Sequence, residues 1–188
     1  MMRSVLPLFA FALAVSAPVM AAETVPVPGF RMVQLRGGGE VTIVPGPVQR
    51  VVILEGSSQV TEMRVERDGR LRIDACNNRC PQHYRLKVQI QSPRVPDLAI
   101  SGGGMITTAA GFQPQANLGV AINGGGRIDA RTVTVGAASA SVNGGGEARL
   151  APRRTLSAVV NGGGLVRYWG NPAVSQTVNG GGAVVRGY

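Results

Sequence analysis

The chain has 188 residues and a formal net charge of +9, with arginine supplying nearly all the positive charge and with one histidine and two cysteines. An aromatic content of 4% leaves few stacking platforms for single-stranded nucleic acid, and a single histidine gives little material for Ser-His-Asp chemistry. A basic protein of this kind is suited instead to anionic partners such as acidic glycans, lipopolysaccharide or lipid headgroups.

At the N-terminus, Arg3 supplies a short positive region, and Val5 to Val15 is an apolar run too short to span a bilayer. Small residues follow at Ala17-Pro18-Val19-Met20-Ala21. The pattern predicts a secretory signal peptide over 1–21, cut after Ala21 or alternatively Ala22. No cysteine lies near the cut, which argues against lipid modification. The remainder, 22–188, is expected to form one exported domain in the periplasm or at the cell exterior, with no transmembrane segment.

Residues 23–95 read as a β-meander. Phe30–Leu35, Glu40–Val44, Arg50–Leu54, Gln59–Glu66, Arg70–Ala75 and Tyr84–Gln91 alternate apolar with polar, and Gly, Pro, Asn or Asp separate them. Asp68-Gly69 marks a hairpin turn. Between the last two segments, Cys76 and Cys80 face each other across a tight loop, and a disulfide is expected in an exported chain. By loop entropy so short a ring stabilises by only ~2 kcal/mol. Adding His83 gives a Cys-x3-Cys-x2-His spacing, but a metal site would lack a fourth ligand nearby. The spacing is not that of covalent haem attachment, and no metal or cofactor is expected.

Residues 96–188 carry a repeat. Triple glycines occur at 37–39, 102–104, 124–126, 144–146, 162–164 and 180–182. The last five follow an aliphatic residue and a small polar one: Ile100-Ser101, Ile122-Asn123, Val142-Asn143, Val160-Asn161 and Val178-Asn179. Before each triplet the chain alternates with period two. One face reads Leu118, Val120, Ile122, then Ala138, Ala140, Val142, then Leu156, Ala158, Val160, then Val174, Gln176, Val178. After each triplet the apolar pattern restarts, at Ile106, Ile128, Ala148, Val166 and Val184. Each unit is therefore strand, glycine corner, strand, connector. A unit of about twenty residues cannot bury its apolar face alone, so stacked units must share a core.

The expected fold is all-β: an N-terminal β-meander (23–95) leading into a short β-helix, or solenoid, with stacked Gly-Gly-Gly corners (96–188). A Greek-key sandwich is the competing architecture, and it leaves the fixed polar-Gly-Gly-Gly register unexplained. Gly125, Gly145, Gly163 and Gly181 are expected as structural corners, where stacked coils require positive φ or leave no room for a Cβ. Asn123, Asn143, Asn161 and Asn179 are expected to form a side-chain ladder along the axis.

The hairpin Asp68-Gly69-Arg70-Leu71-Arg72-Ile73, the strand at Tyr84–Ile90, Pro96-Asp97-Leu98-Ala99-Ile100-Ser101 before the glycines, and the repeated corners resemble a bacterial family of unknown function. It is called "putative auto-transporter adhesin, head GIN domain". The resemblance spans about 27–186. It implies an exported β-helical domain, and it brings no catalytic residues. The basic charge and the Cys76–Cys80 loop depart from the family's usual pattern.

The chain shows no nucleophile elbow and no phosphate loop. Asp129 and Glu147 would lie on adjacent coils as a carboxylate pair, but Arg127 and Arg149 occupy the facing rung positions, which points to cross-rung ion pairs. Between 123 and 188 there are seven arginines and two acids. Stacking would gather Arg127, Arg149, Arg153, Arg154 and Arg167 into a surface for an anionic ligand. The leading expectation is a non-enzymatic binding or structural module whose partner is an anionic glycan, lipopolysaccharide or an envelope protein, with no nucleic acid. A polysaccharide-active enzyme, or a polymer formed by stacking solenoid ends, is the alternative, and a homo-oligomer fits either.

Overall fold

A computed structural model describes residues 22–77 and 80–188. The expected signal peptide, 1–21, lies outside the described residues, as do Asn78 and Arg79 of the cysteine loop. The described residues are all-β. They form β1 (Glu23–Val25), β2 (Met32–Gly37), β3 (Glu40–Pro45), β4 (Arg50–Glu55), β5 (Glu62–Val65), β6 (Arg70–Asp74) and β7 (Lys87–Ser92). The repeat half adds β8 (Asp97–Gly102), β9 (Met105–Thr108), β10 (Gln115–Gly124), β11 (Arg127–Gly144), β12 (Glu147–Asn161), β13 (Leu165–Tyr168), β14 (Ala173–Asn179) and β15 (Ala183–Arg186).

The strands pair in two parallel ladders. In the first, β6, β2, β8, β10, the C-terminal part of β11, that of β12, and β14 lie side by side. In the second, β7, β3, β9, the N-terminal part of β11, that of β12, β13 and β15 do the same. The two segments that directly flank a glycine triplet belong to different ladders and do not pair with each other. Each pairs with its counterpart one repeat away: Val120 faces Leu98 and Ala140, and Ala158 faces Ala140 and Gln176.

This register sorts side chains into columns. Leu98, Val120, Ala140 and Ala158 form one inward column, and Ile100, Ile122, Val142 and Val160 form the next; all are buried. Across the core, Ile106, Ile128, Ala148 and Val166 are fully buried on the second ladder. The aliphatics are small to medium because the space between the ladders is narrow.

The meander expected over 23–95 is corrected. Only β5 and β6 form a sequential antiparallel hairpin there. β2 and β3 pair in parallel with distant strands, and Gly37 lies in register with Gly102, so the first glycine triplet joins the same corner stack. Antiparallel pairing is confined to that hairpin and to β1, β4 and β7. Pairing β2 with β8 buries Val33 and Leu35 within the common core, a gain that an isolated hairpin would lack. β1 (Glu23–Val25) was not expected from the sequence. It pairs with β4, and Glu23 is tied to Ser58 by a hydrogen bond from the serine hydroxyl.

Candidate functional site

The corner is built from three glycines with different tasks. The first of each triplet adopts the left-handed region, as at Gly144 with φ 118°. A Cβ on Gly144 would lie 2.7 Å from the carbonyl oxygen of Gly124. The third is crowded: a Cβ on Gly146 would sit 2.5 Å from Cγ2 of Ile122 and 2.7 Å from the Gly126 carbonyl oxygen. The middle glycines, Gly125, Gly145, Gly163 and Gly181, have open space around them and none lies in the left-handed range. The expectation at those four, of positive φ or of no room for a Cβ, is thereby corrected. Their backbones still serve the stack, since Gly145 N–H donates to the Gly124 carbonyl at 3.1 Å.

Beside the corners runs an amide ladder. Asn143 Nδ2 donates to Asn123 Oδ1 at 2.9 Å, Asn161 to Asn143 at 2.8 Å, and Asn179 to Asn161 at 2.9 Å. The donor direction is the same at every step, so Asn179 begins the ladder as a donor and Asn123 Oδ1 is its last acceptor. Such bonds replace water contacts on an exposed edge, and each contributes modestly.

On the outer face of the second ladder the charged residues alternate between rungs. Arg127 faces Glu147, and Asp129 faces Arg149, which in turn faces Arg167. Arg127 Nε lies 3.0 Å from Glu147 Oε2, and Arg149 Nη1 lies 3.6 Å from Asp129 Oδ2. Two further pairs run along a strand, where residues two apart share a face: Arg131–Asp129 at 2.7 Å and Arg149–Glu147 at 2.7 Å. Only the cross-rung pairs were read from the sequence, although the i, i+2 spacing of the strand pairs was legible there too.

These contacts set the protonation of both acids. Burial alone would raise the Asp129 carboxyl, but hydrogen bonds from Arg131 and the charge of Arg149 hold it below the ordinary carboxylate value. For Glu147 the Arg149 hydrogen bond dominates over burial and lowers it, with Arg127 and Arg167 adding to the effect. Both are therefore carboxylates at neutral pH, and neither is a proton donor there.

The five candidate arginines do not act as one set. Arg127 and Arg149 are engaged with Glu147 and Asp129. Arg153 and Arg154 form a bulge between the two ladders, where the β11–β12 register shifts, and the Arg154 guanidinium packs over Gly136. Arg167 stands in line beyond Arg149, and its Nε is buried without a hydrogen-bond partner. Nearby, the Arg131 guanidinium lies 4.8 Å from the Trp169 ring centre, and Trp169 Nε1 donates to the Tyr188 carbonyl at 3.2 Å. That cation–π contact was missed in the sequence, because Arg131 and Trp169 become neighbours only through the stack.

At the other end of the molecule, Cys76 and Cys80 are joined by a disulfide with Cα atoms 5.7 Å apart. His83, which could have completed a metal set, is exposed with φ 64°. Among the described residues no group of three His, Cys, Asp or Glu side chains could hold a metal ion. A shallow concavity of about 630 Å³ follows the start of the first ladder, over Leu118, Ala138, Leu156 and Val174.

The features define an all-β protein whose surface is a set of repeated side-chain columns. Residues 114–172 match the family model described as "Putative auto-transporter adhesin, head GIN domain", which agrees with the resemblance read from the corners. The match takes in three glycine triplets and is narrower than the span over which the sequence resembles that family. Among solved structures, a "putative adhesin" from Bacteroides fragilis NCTC 9343 is 17% identical, with 88% of this chain and 96% of that chain covered and a TM-score of 0.55. It shares the fold. A "putative lipid binding protein" from Parabacteroides distasonis ATCC 8503 is 14% identical over 89% of this chain and 96% of that one, with a TM-score of 0.38. A "putative cell adhesion protein" from Clostridium sporogenes ATCC 15579 is 10% identical over 88% and 97%, with a TM-score of 0.37. Among curated proteins, none matches the chain.

Proposed function

We propose that this chain is a non-catalytic, adhesin-like β-solenoid that acts outside the cytoplasm, and that its arginine face binds an anionic polymer. The observation that carries the ligand class is Arg167. It extends an ion-paired column by one rung, with Arg149 on one side and Val185 on the other, so among the described residues no carboxylate stands opposite it. A planar guanidinium held in that way matches a carboxylate or phosphate oxygen on a polymer. The neighbouring pairs orient the column and leave the net charge of the face positive.

The match over 114–172 and the fold shared with the Bacteroides protein support the adhesin-like class. The Cys76–Cys80 disulfide fits an oxidising compartment. A polysaccharide-cleaving reading is less well supported, because glycoside hydrolysis needs one carboxyl protonated and Arg contacts keep both Asp129 and Glu147 ionised.

The test is binding to polygalacturonate and to lipopolysaccharide, with neutral dextran as control, at two salt concentrations. The wild-type protein is expected to bind both anionic polymers, more weakly at high salt. Arg167→Gln is expected to weaken binding about tenfold or more while leaving the melting temperature unchanged or higher. Arg149 is a poor target, since its loss would also strand Glu147 and Asp129. Unchanged affinity in Arg167→Gln would sink the assignment.

A further inference from the structure

We propose that β14 (Ala173–Asn179) is a self-complementary edge through which two copies of this chain pair antiparallel, end to end, about a two-fold axis at Gln176. This does not rest on the anionic-polymer reading.

Among the described residues four strands stand at the edges of the sheet: β1, β5, β14 and β15. Three carry charge, at Glu23, at Glu62 and Arg64, and at Arg186. β14 reads Ala-Val-Ser-Gln-Thr-Val-Asn, with no charge, no proline and no glycine, and all seven residues are exposed. Among the described residues it pairs only with β12, without a bulge, which leaves one whole side of its backbone without a strand partner. An uncharged, regular, unblunted edge is a template for a further strand.

The strand's own sequence selects the partner. Val174-Ser175-Gln176-Thr177-Val178 is a near-palindrome about Gln176. Antiparallel pairing about that residue sets Val174 opposite the second copy's Val178, Ser175 opposite Thr177, and Gln176 opposite Gln176. The valines belong to the inward columns. In earlier rungs those columns are closed by the next strand: Leu118 and Leu156 are 2% and 1% exposed, whereas Val174 and Val178 are each 37% exposed. A second copy completes both columns at once. Charge matching points the same way, since the uncharged edge meets another uncharged edge, whereas the opposite end would press Glu62 and Arg64 against it. The two-fold arrangement closes on itself and stops at a dimer.

Sedimentation of the full-length protein, in the form in which it accumulates, tests this. A concentration-dependent monomer–dimer equilibrium is expected, with protection of β14 amides from hydrogen exchange at dimer concentrations. Gln176→Lys and Gln176→Glu each place like charges face to face, so each alone is expected to sediment as a monomer with an unchanged melting temperature. Mixed together, they are expected to restore the dimer, an outcome that misfolded variants would not give. Wild-type protein that stays monomeric at all concentrations overturns the proposal. So does growth beyond the dimer, or a dimer indifferent to either charge at 176.

Discussion

The residue-scale result is a division of labour within each glycine triplet. The third glycine leaves room for a branch methyl of the aliphatic residue one rung earlier: Gly126 lies against Ile100 Cγ2 and Gly146 against Ile122 Cγ2. That accounts for the recurrence of Ile or Val two positions before each of the last five triplets. Gly144→Ala forces an L residue into the left-handed region against a carbonyl, and Gly146→Ala collides with packed atoms. Each is expected to cost about 1–3 kcal/mol, read by urea unfolding. Gly145→Ala is expected to be near neutral, because its Cβ meets open space. Equal costs at all three positions would contradict the assignment. Three identical letters could not tell these roles apart, since φ and crowding come from the neighbouring rung.

Also at this scale, Asp129 and Glu147 make a pH prediction. Their carboxyls are lowered in the folded state, so their contribution is complete above the ordinary carboxylate range near pH ~4. It is lost as pH falls through the lowered values. Glu147→Gln is therefore expected to melt below wild type at pH 7 and to converge with it in acid. A difference independent of pH would show that the carboxylate charge is not what matters.

Among the elements, legibility divided by range. The inward columns of β10, β11 and β12 were readable because period-two alternation and a short repeat together fix which side chains face in. The pairing of the N-terminal strands was not readable. β2 finds its partners at Arg70–Asp74 and Asp97–Gly102, and nothing local in Met32–Gly37 distinguishes a parallel neighbour from a hairpin. The clue was the triplet at 37–39, which shares its letters with the repeat but stands far from it in sequence. Of the candidate site, the cross-rung partners of Arg127 and Arg149 were legible from repeat spacing. The displacement of Arg153 and Arg154 was not, because it follows from a bulge opposite Gly136. Gln176 carries a similar lesson: it was legible as an inward position, and its polarity makes sense only on the last strand of the first ladder.

For the whole molecule, the proposed binding surface depends on residues about twenty positions apart becoming adjacent. The arginine column, the amide ladder and the exposed edge of β14 all depend on parallel registration of successive repeats. Ser139 and Ser157 are in register on adjacent rungs, while Ser139 and Ser175 lie two rungs apart, roughly 10 Å by strand spacing. A disulfide spans Cα separations of about 4.4–6.8 Å. Peptide mapping by mass spectrometry of two double variants under mild oxidation reads the register directly. Ser139→Cys with Ser157→Cys is expected to cross-link within one chain and to leave Cys76–Cys80 intact. Ser139→Cys with Ser175→Cys is expected to remain as free thiols; an intrachain link there, or none between 139 and 157, would contradict the stacked register.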